Sequence, residues 1–435
     1  MSFCHKGIYL LISKRLILLL IILLSLSSFL TAAGNQEAAS NSFSVWDFKY
    51  KDARTNHVYS KIDRQFTNKY ESVSFEHIGF DDEEYVPALR AALLAGTAPD
   101  IIWLHQGTEF IEFQSYLEPL NEFLSESEID FRQDSLLSCE TDDGILKALP
   151  VSFQGMGWYY NKELFRKAGL DPEIPPTNWN NFLEACEQLK QAGITPIATG
   201  NNRPLTTDFI KRSLITAFYS DEEIKDFFQQ GRGIASTEFR IIMDFCLQLR
   251  ENEYLNPDGI YRAYFNFAPD SFSKGECAMI IGLLSDIAHW KEFSDELGPD
   301  NVGYFPNLIH PEMKRPGAQL LQDAGIIIGI NKNSRNKELA YAYLQNMYSE
   351  QSQKLLVEDL GMLMPMTELK LPSKEYPVLL NIEAALNNSG YDIEQFTPST
   401  YIRDLSYRYD KLLINSLEIT LDDYIQRLYD KLKLF

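Results

Sequence analysis

The sequence has few of the residues, and none of the short motifs, on which metal sites and enzymes commonly depend. Its six histidines are too dispersed along 435 residues to indicate a metal cluster. It contains no G-x-x-x-x-G-K-[ST] phosphate loop, no H-E-x-x-H zinc motif, no calcium-binding loop and no G-x-S-x-G nucleophile turn. These absences argue against an ATPase, a metalloprotease and a serine hydrolase, and we expect neither a metal nor a cofactor.

Cysteine is also scarce, with five in the whole chain. None are paired at C-x-x-C spacing, so neither a zinc knuckle nor a thioredoxin-type motif is present. Cys186 falls within an apolar helical stripe, where a thiol behaves as a small hydrophobic group. A disulfide in an oxidising compartment remains open, and the sequence does not show which two cysteines would pair.

Positive charge is in deficit, with 40 Lys and Arg against 61 Asp and Glu and a formal net charge of -21. An acidic surface disfavours nucleic acid and anionic lipid as partners. The apolar fraction of 45 % is ordinary for a globular protein. Internal repeats, low-complexity linkers and coiled-coil heptads are absent, and we expect a monomer.

The N-terminal segment has the features of a secretory signal peptide. Three basic residues lie within the first 15 positions, no acidic residue occurs before Glu37, and an unbroken apolar run covers 16–24. Small residues then lead to a cleavage site after Ala33, so residues 1–33 are predicted to be removed. An uncleaved membrane anchor remains the alternative. Because the one early cysteine, Cys4, precedes the apolar run, no lipid anchor is expected and the product should be periplasmic or secreted.

Apolar patterning alternates between short strands and helices along the rest of the chain. Residues 43–48 alternate as a first strand does, 85–95 form a helix that ends at Gly96, and 101–104 form a buried strand. A helix with apolar residues on one face begins at Trp179, and further strands are predicted at 277–282 and 323–328. This alternation favours an α/β fold.

The segment 157–170 reads GWYYNKELFRKAGL, an aromatic strand that runs into a helical turn ended by Gly169. Other passages occur around it in a fixed order: GTAPD at 96–100, LEPL at 117–120, ILKALP at 145–150, FSKGECAMI at 272–280 and GMLMP at 361–365. In this order they resemble the family 1, maltose-type, extracellular solute-binding proteins of ABC sugar importers. The resemblance covers most of 43–365.

The resemblance implies the two-lobe periplasmic binding protein fold of type II, in which ligand binds in a cleft between lobes joined by hinge crossings. Carried over to this chain, one lobe would consist of 41–150 with 307–352. The other would consist of 151–306 with 353–435. Composition and periodicity do not by themselves show these crossings.

Candidate ligand-binding residues follow the predicted strands, because α/β sheets bind ligands where their strands end. A sugar offers C–H faces to aromatic rings and hydroxyl groups to polar side chains. We therefore expect contacts from Trp46, Asp47, His105, Gln106 and Glu109. His105 has the alternative interpretation of a loop histidine without a special role.

Further candidates come from the second half of the resemblance. Phe153 and Gln154 follow the crossing at Pro150, and Trp158 is a candidate whose alternative place is the core. The family commonly has Gly-Trp after the strand at 277–282, with the Trp stacked on sugar, whereas this chain has Gly282-Leu283. Asp286, or alternatively Trp290, is the predicted substitute. Where the family has Gly-Gly before the later strand, this chain has Gln322-Asp323, and Asp323 is predicted to accept hydrogen bonds from ligand hydroxyl groups. Arg403 is read as a surface residue, although it could bind an acidic sugar.

The predicted function is reversible capture of a sugar or oligosaccharide outside the cytoplasmic membrane, without catalysis. The ligand-bound form would then be delivered to the membrane permease subunits of an ABC importer. Two alternatives stay open. One is a secreted carbohydrate-degrading enzyme that uses two carboxylates of unknown position. The other is a sensory or scaffold relative that has lost transport.

Overall fold

A computed structural model describes residues 42–284, 289–316, 323–388 and 400–432. The predicted signal peptide, 1–33, and the candidate Asp286 lie outside the described residues. Nearly all of the described residues, from 43–71 and from 75 onward, belong to one compact unit. This unit contains two separate β-sheets with helices packed against them, so the α/β class expected from the sequence is confirmed.

The first sheet has five strands in the order β2-β1-β3-β9-β4. Strands β1 and β3 run parallel, and β9 runs antiparallel to both of its neighbours, β3 and β4. The second sheet has four strands in the order β6-β7-β5-β8, with β6 parallel to β7 and β5 antiparallel to β7 and β8. The strands are β1 Ser42–Asp47, β2 Ser74–Gly79, β3 Ile101–His105, β4 Leu149–Gln154, β5 Met156–Asn161, β6 Thr195–Ile197, β7 Cys277–Leu283, β8 Val302–Phe305 and β9 Asp323–Ile330.

Helices connect most of these strands. In chain order they are α1 Ala53–Lys69, α2 Asp82–Ala95, α3 Thr108–Phe113, α4 Asn121–Glu126, α5 Gln133–Leu137, α6 Lys162–Lys167, α7 Trp179–Gln191, α8 Leu205–Phe218, α9 Asp221–Gln230, α10 Thr237–Glu251, α11 Tyr264–Ser273, α12 His289–Leu297, α13 Lys337–Met347, α14 Glu350–Leu360, α15 Val378–Asn388, α16 Thr400–Asp410 and α17 Leu421–Leu432. A π-helical turn, Lys411–Asn415, continues directly from α16.

Local sequence explains where several of these elements begin and end. Asn178 caps α7 in a reciprocal capping box with Asn181, and the apolar stripe that begins at Trp179 is buried as its spacing predicts. Gly96 and Gly169 adopt positive φ at helix ends, the backbone conformation that glycine enters at least cost. Every residue of β5 is buried, because helices and strands cover it on both faces.

The two sheets are joined at Gly155, the single residue between β4 and β5. Its carbonyl oxygen accepts a hydrogen bond of 2.8 Å from the backbone N–H of Leu284, just after β7. The chain therefore passes straight from the last strand of the first sheet to the middle of the second. It returns to the first sheet between β8 and β9.

The C-terminal part of the chain contacts both sheets in turn. Helix α14 packs against α1, where Lys61 and Asp359 form an ion pair of 2.6 Å, so residues 350–360 belong with the first sheet. Helix α15 packs against β8, and α16 and α17 lie with α10 beside the second sheet. Within the described ranges, no helix is both long enough and apolar enough to span a membrane.

Candidate functional site

The ends of the first sheet's strands place most of the predicted residues along one edge. Strands β1 and β3 are parallel, so Asp47 and His105 end at the same side of the sheet. The first residue of β9, Asp323, pairs with the last residue of β4, Gln154. Since His105 pairs with Ile326 of β9, this pair also lies at that edge. The carboxyl edge of the first sheet therefore collects residues from four strands.

Trp46 lies near the end of β1 and remains partly exposed. Its ring packs on Phe80 with 4.9 Å between centroids, and its carbonyl oxygen accepts a hydrogen bond of 3.2 Å from the hydroxyl of Tyr85. The indole is thus fixed from one side while part of its surface remains accessible. This arrangement suits a stacking platform.

His105 and Glu109 form a fixed pair at the end of β3. Glu109 accepts a hydrogen bond of 2.8 Å from the backbone N–H of His105, and its other oxygen lies 3.1 Å from Nδ1 of the same residue. The imidazole also stacks on Phe48, with 4.1 Å between centroids, and 43 % of its side chain is exposed. Gln106, between them, is buried. His105 and Glu109 therefore present an ordered polar surface at the strand end.

Asp47 does not occupy the position that the sequence predicted, because its side chain is fully buried. One carboxylate oxygen accepts hydrogen bonds from the backbone N–H groups of Lys49 and Tyr50, at 3.0 and 2.7 Å. The other lies 3.1 Å from Nε2 of His77. These partners fix the turn that follows Trp46, so Asp47 supports the site and does not line it.

The buried side chain of His77 links Asp47 to a second carboxylate, that of Asp63. Its Nδ1 lies 2.8 Å from Asp63, which also accepts a hydrogen bond of 3.0 Å from the hydroxyl of Tyr343. Burial alone would lower the pKa of His77, but hydrogen bonds and charge from Asp47 and Asp63 outweigh it and raise the pKa to about 9. The histidine is therefore a cation at neutral pH, held between two carboxylates.

The aromatic residues predicted near the crossing are buried as well. Trp158 is 1 % exposed and packs on Phe182 and Phe305, so it belongs to the core, as its alternative interpretation held. Phe153 is 3 % exposed and lies under the guanidinium of Arg132. The sequence predicts Phe153 from its place after the crossing at Pro150 and Trp158 from its place in an aromatic strand. Strand position does not distinguish the face turned to the core, because successive side chains alternate between faces.

The second sheet has a carboxyl edge of its own, and it meets the first at Gly155. Met156, the first residue of β5, pairs with Leu283, the last residue of β7. Strand β6 is parallel to β7, so the loop that follows β6 leaves the sheet at this same edge. In that loop Asn202 and Arg203 are exposed, and the Arg203 guanidinium lies 5.0 Å over the ring of Tyr407.

Sequence reasoning missed this loop because β6 has three residues with Pro196 at its centre. So short a strand leaves no alternating pattern, and an internal proline argues against a strand. A usable signal was the run Gly200-Asn201-Asn202-Arg203-Pro204, which is typical of a turn and comes shortly after the apolar residues Ile197 and Ala198.

Buried amides hold the loop in place. Asn415, at the end of the π-helical turn, donates to the carbonyl oxygen of Asn201 at 2.7 Å, and Asn201 donates to Oδ1 of Asn415 at 3.1 Å. Asn201 also donates to Oγ1 of Thr207 at 2.8 Å. The C-terminal segment is therefore part of the scaffold around this edge.

Other chemistry is not evident in the part of the chain that the structure covers. Among the described residues, no three or more His, Cys, Asp and Glu side chains are grouped so that they could hold a metal ion. Cys139, Cys186, Cys246 and Cys277 all lie buried as thiols, so none of these four forms the disulfide that the sequence left open.

Comparison with known proteins identifies one family over most of the chain. The profile described as bacterial extracellular solute-binding protein matches residues 58–354. A similar curated relative is the sn-glycerol-3-phosphate-binding periplasmic protein UgpB of Yersinia pseudotuberculosis, with 26 % identity over 233 residues. That match covers 50 % of this chain and 51 % of the relative, so the chain spans about half the length of the curated relatives it matches.

Solved structures are similar over nearly the whole chain. A chitin oligosaccharide binding protein superposes with a TM-score of 0.74 and 20 % identity, covering 90 % of this chain and 98 % of that one. Maltose-bound MalE3 of T. maritima superposes with a TM-score of 0.70 and 21 % identity, covering 90 % and 99 %. At such identities these likenesses show the fold, which is that of the two-lobe periplasmic binding proteins.

Proposed function

This chain belongs to the bacterial extracellular solute-binding protein family, and we propose from that membership that its solute is a sugar or oligosaccharide. Binding of a solute outside the cytoplasm is the role of the family. Its structural neighbours include a chitin oligosaccharide binding protein and a maltose-bound protein. The observation that carries the proposal is the meeting of two carboxyl edges at Gly155, with Trp46 and His105 accessible on one and Asn202 and Arg203 on the other.

The proposed site lies between those edges. On the first sheet it consists of Trp46, His105 and Glu109, with Gln154 and Asp323 at adjoining strand ends. On the second it consists of the loop after β6. Ring faces, imidazole, carboxylate and amide groups together match the C–H faces and hydroxyl groups of a sugar.

We also propose that each sheet forms one lobe. The predicted division, 41–150 with 307–352 against 151–306 with 353–435, agrees with the sheet to which each strand belongs, apart from the end of β4. Because α14 packs on α1, we place the last crossing after residue 360. A ligand that contacts both lobes only when they are closed would shift the population toward the closed form.

In this proposal the closed form delivers its ligand to the permease subunits of an ABC importer, powered by a separate ATPase. The protein acts as a monomer in the periplasm or as a secreted protein after cleavage of residues 1–33. An acidic surface, with a formal net charge of -21, supports the absence of nucleic acid among its partners.

A thermal-shift screen against maltose, chitin oligosaccharides and sn-glycerol-3-phosphate tests the function. A ligand at 100 times its Kd adds about 2.7 kcal/mol to the free energy of unfolding, which is a readily measured rise in Tm. Trp46→Ala should abolish the shift for any ligand found, while the unliganded Tm stays close to that of the parent. An affinity within twofold of the parent would show that Trp46 lies outside the site.

An anionic solute is the second candidate, and one observation favours it. Arg403 lies one helical turn before Tyr407, and the guanidinium of Arg203 lies over the ring of Tyr407. The Nε of Arg403 is buried and has no hydrogen-bond partner within the described ranges. Two guanidinium groups suit a phosphate or carboxylate. A shift with sn-glycerol-3-phosphate that is lost in Arg403→Gln, together with no shift from neutral sugars, would replace the first candidate.

The enzyme alternative has a direct test of its own. The family consists of binding proteins, and we propose that this chain leaves its ligand unaltered. Incubation of the purified protein with labelled oligosaccharides should return intact sugar, captured at one equivalent per chain. Shortened products that accumulate over many turnovers would instead establish a glycosidase.

A further inference from the structure

Among the described residues at the end of β7, up to position 284, the second sheet offers no exposed ring that could stack on a sugar. Leu283 and Leu284 occupy the positions after Gly282, and both are buried. A Cβ at Gly282 would overlap the ring of Tyr159, so this stretch is packed tightly into the core. If the solute is a sugar, as proposed above, another element must supply ring faces on this side.

Two aromatic residues at the beginning of α11, Tyr261 just before the helix and Phe265 in its first turn, are exposed. Tyr261 has 71 % and Phe265 has 45 % of its surface accessible. Scattered exposed apolar side chains are normal on proteins, but exposed aromatic residues carried by one short segment, with polar groups around them, are typical of binding surfaces. Here the polar neighbours are Arg262 and Asn202, and the backbone N–H of Asn202 donates to the carbonyl oxygen of Arg262 at 3.0 Å.

Chain direction places these rings at the carboxyl edge of the second sheet. After α11 the chain reverses direction at the turn around Gly275 and enters β7. The helix and the strand therefore run antiparallel, and the first residue of α11 lies near the end of β7. The hydroxyl of Tyr264, the first residue of α11, donates to the carbonyl oxygen of Ile281 near the end of β7. Tyr261 and Phe265 flank Tyr264 in sequence and therefore lie at the level of that edge.

The loop after β6 and the segment before α11 form one continuous surface. The backbone N–H of Asn201 donates to the carbonyl oxygen of Gly259 at 2.9 Å. A Cβ at Gly259 would overlap the carbonyl oxygen of Thr199, and a Cβ at Gly200 would overlap the backbone of Tyr264. Because both approaches need glycine, the two segments are held in close contact and carry their exposed side chains together.

We propose that Tyr261 and Phe265 are the sugar-stacking residues on the second sheet's side of the site, with Asn202 and Arg203 beside them as hydrogen-bond donors. The ligand class is a saccharide that presents C–H faces to two separate ring platforms, Trp46 on one sheet and Tyr261 with Phe265 on the other. This inference depends on the proposed function, since it names residues for the same site.

The test measures Kd by isothermal titration calorimetry for the maltose or chitin oligosaccharide that gives the larger thermal shift with the parent. Tyr261→Ala and Phe265→Ala should each weaken binding about fivefold, and the double variant about 25-fold, as expected when an aromatic contact is lost. Tyr261→Phe and Phe265→Tyr keep the ring faces and should remain within about twofold. Tyr429→Ala removes an exposed ring from α17 and should leave Kd unchanged, which controls for the loss of surface aromatic area.

Circular dichroism and the unliganded Tm establish that each variant is folded. A double variant that binds within twofold of the parent, while Trp46→Ala has lost binding, overturns this inference and leaves the proposed function intact. Affinity losses in Tyr261→Phe and Phe265→Tyr that equal those of the alanine variants would likewise exclude stacking by these rings. A parent protein that binds none of the saccharides overturns the proposed function itself, and the assignment of the two rings with it.

Discussion

Individual residues at the candidate site divide into those that line it and those that hold others in place. Trp46 and Asp47 are neighbours at the end of β1, yet Trp46 is partly exposed and Asp47 is fully buried. Alternation along the strand explains the difference, since adjacent side chains point to opposite faces. A polar residue at a strand end is therefore a weaker indicator of ligand contact than its chemistry suggests.

His77 predicts a pH dependence of stability. Its pKa of about 9 in the folded protein exceeds the value of about 6.5 expected in the unfolded chain, so the folded state binds the proton more tightly. The stabilisation, about 3 kcal/mol, should be fully present below pH 6.5 and should be lost as the pH rises through 9.

Urea denaturation at pH 6 and at pH 10 gives the loss in free energy of unfolding between these two pH values, and the parent and His77→Asn are compared by that loss. His77→Asn should lose much less stability than the parent over that interval, although it is less stable at pH 6. His57→Asn replaces an exposed histidine of α1 and should follow the parent. Parallel pH profiles for the parent and His77→Asn would contradict a charged His77.

At the scale of elements, the C-terminal helices are held to the second sheet's helices by a buried ion pair. Lys211 of α8 lies 2.7 Å from Asp410 at the end of α16, and Tyr424 of α17 donates to the same carboxylate at 2.7 Å. Burial opposes the charge on Lys211, but Asp410 and Asp208 outweigh it and raise its pKa. Three helices thus meet at one carboxylate.

Removing one partner of this pair should be costly. Asp410→Asn leaves the Lys211 ammonium buried without its main counter-charge, and we expect a loss of about 3 to 5 kcal/mol in the free energy of unfolding. Asp422→Asn breaks the exposed pair between Arg240 and α17 and should cost less than about 1 kcal/mol. Urea titrations measure the free energy of unfolding of both variants. If Asp410→Asn and Asp422→Asn lose equally little of it, the buried pair does not stabilise the protein.

The π-helical turn between α16 and α17 should influence binding without contacting the ligand. Asn415→Ala removes two hydrogen bonds to Asn201 and frees the loop that carries Asn202 and Arg203. We expect affinity for the sugar found in the screen to fall about tenfold, which corresponds to about 1.4 kcal/mol.

The measurement separates positioning from general destabilisation. Asp422→Asn lies in the same C-terminal segment and should bind as the parent does. An unchanged Kd in Asn415→Ala, in a protein whose Trp46→Ala variant has lost binding, would show that the loop keeps its conformation without this turn.

At the scale of the whole molecule, labelling of the cysteine thiols can follow the unfolding of each sheet and the presence of the N-terminal segment. Cys139 lies beside the first sheet, Cys186 and Cys246 lie in helices α7 and α10 beside the second, and Cys277 lies in strand β7 of the second; all four are buried. Burial raises the pKa of Cys186 well above its usual value and that of Cys246 to about 12, so few reactive thiolates form at neutral pH.

Ellman's reagent should therefore label none of these four thiols in the native protein and all of them in concentrated urea. Exported protein cleaved after Ala33 should yield four thiols per unfolded chain, whereas a retained N-terminal segment adds Cys4 as a fifth. Labelling of three thiols before the fourth along a urea series would indicate that the two sheets unfold separately.

The sequence by itself determined the elements and their order. Strand β3, helix α7 and the strands β7 and β9 lie within a few residues of their predicted positions, because apolar spacing and the capping residues around them act over short distances. The order of the family passages likewise determined the fold class, since each passage marks one local turn or strand. The candidates Trp46, His105 and Glu109 follow from the same local reasoning, and their contact with ligand stays a prediction.

Only the tertiary structure decided which side chains face the site. Phe153, Trp158 and Asp47 are buried because other parts of the chain cover them, and such contacts between distant residues have no periodic signature. The segment that carries Asn202 and the segment that carries Tyr261 are in contact because Gly200 and Gly259, 59 positions apart in the sequence, permit close approach of their backbones. Local patterns specify secondary structure, whereas a binding surface depends on which distant segments pack against one another.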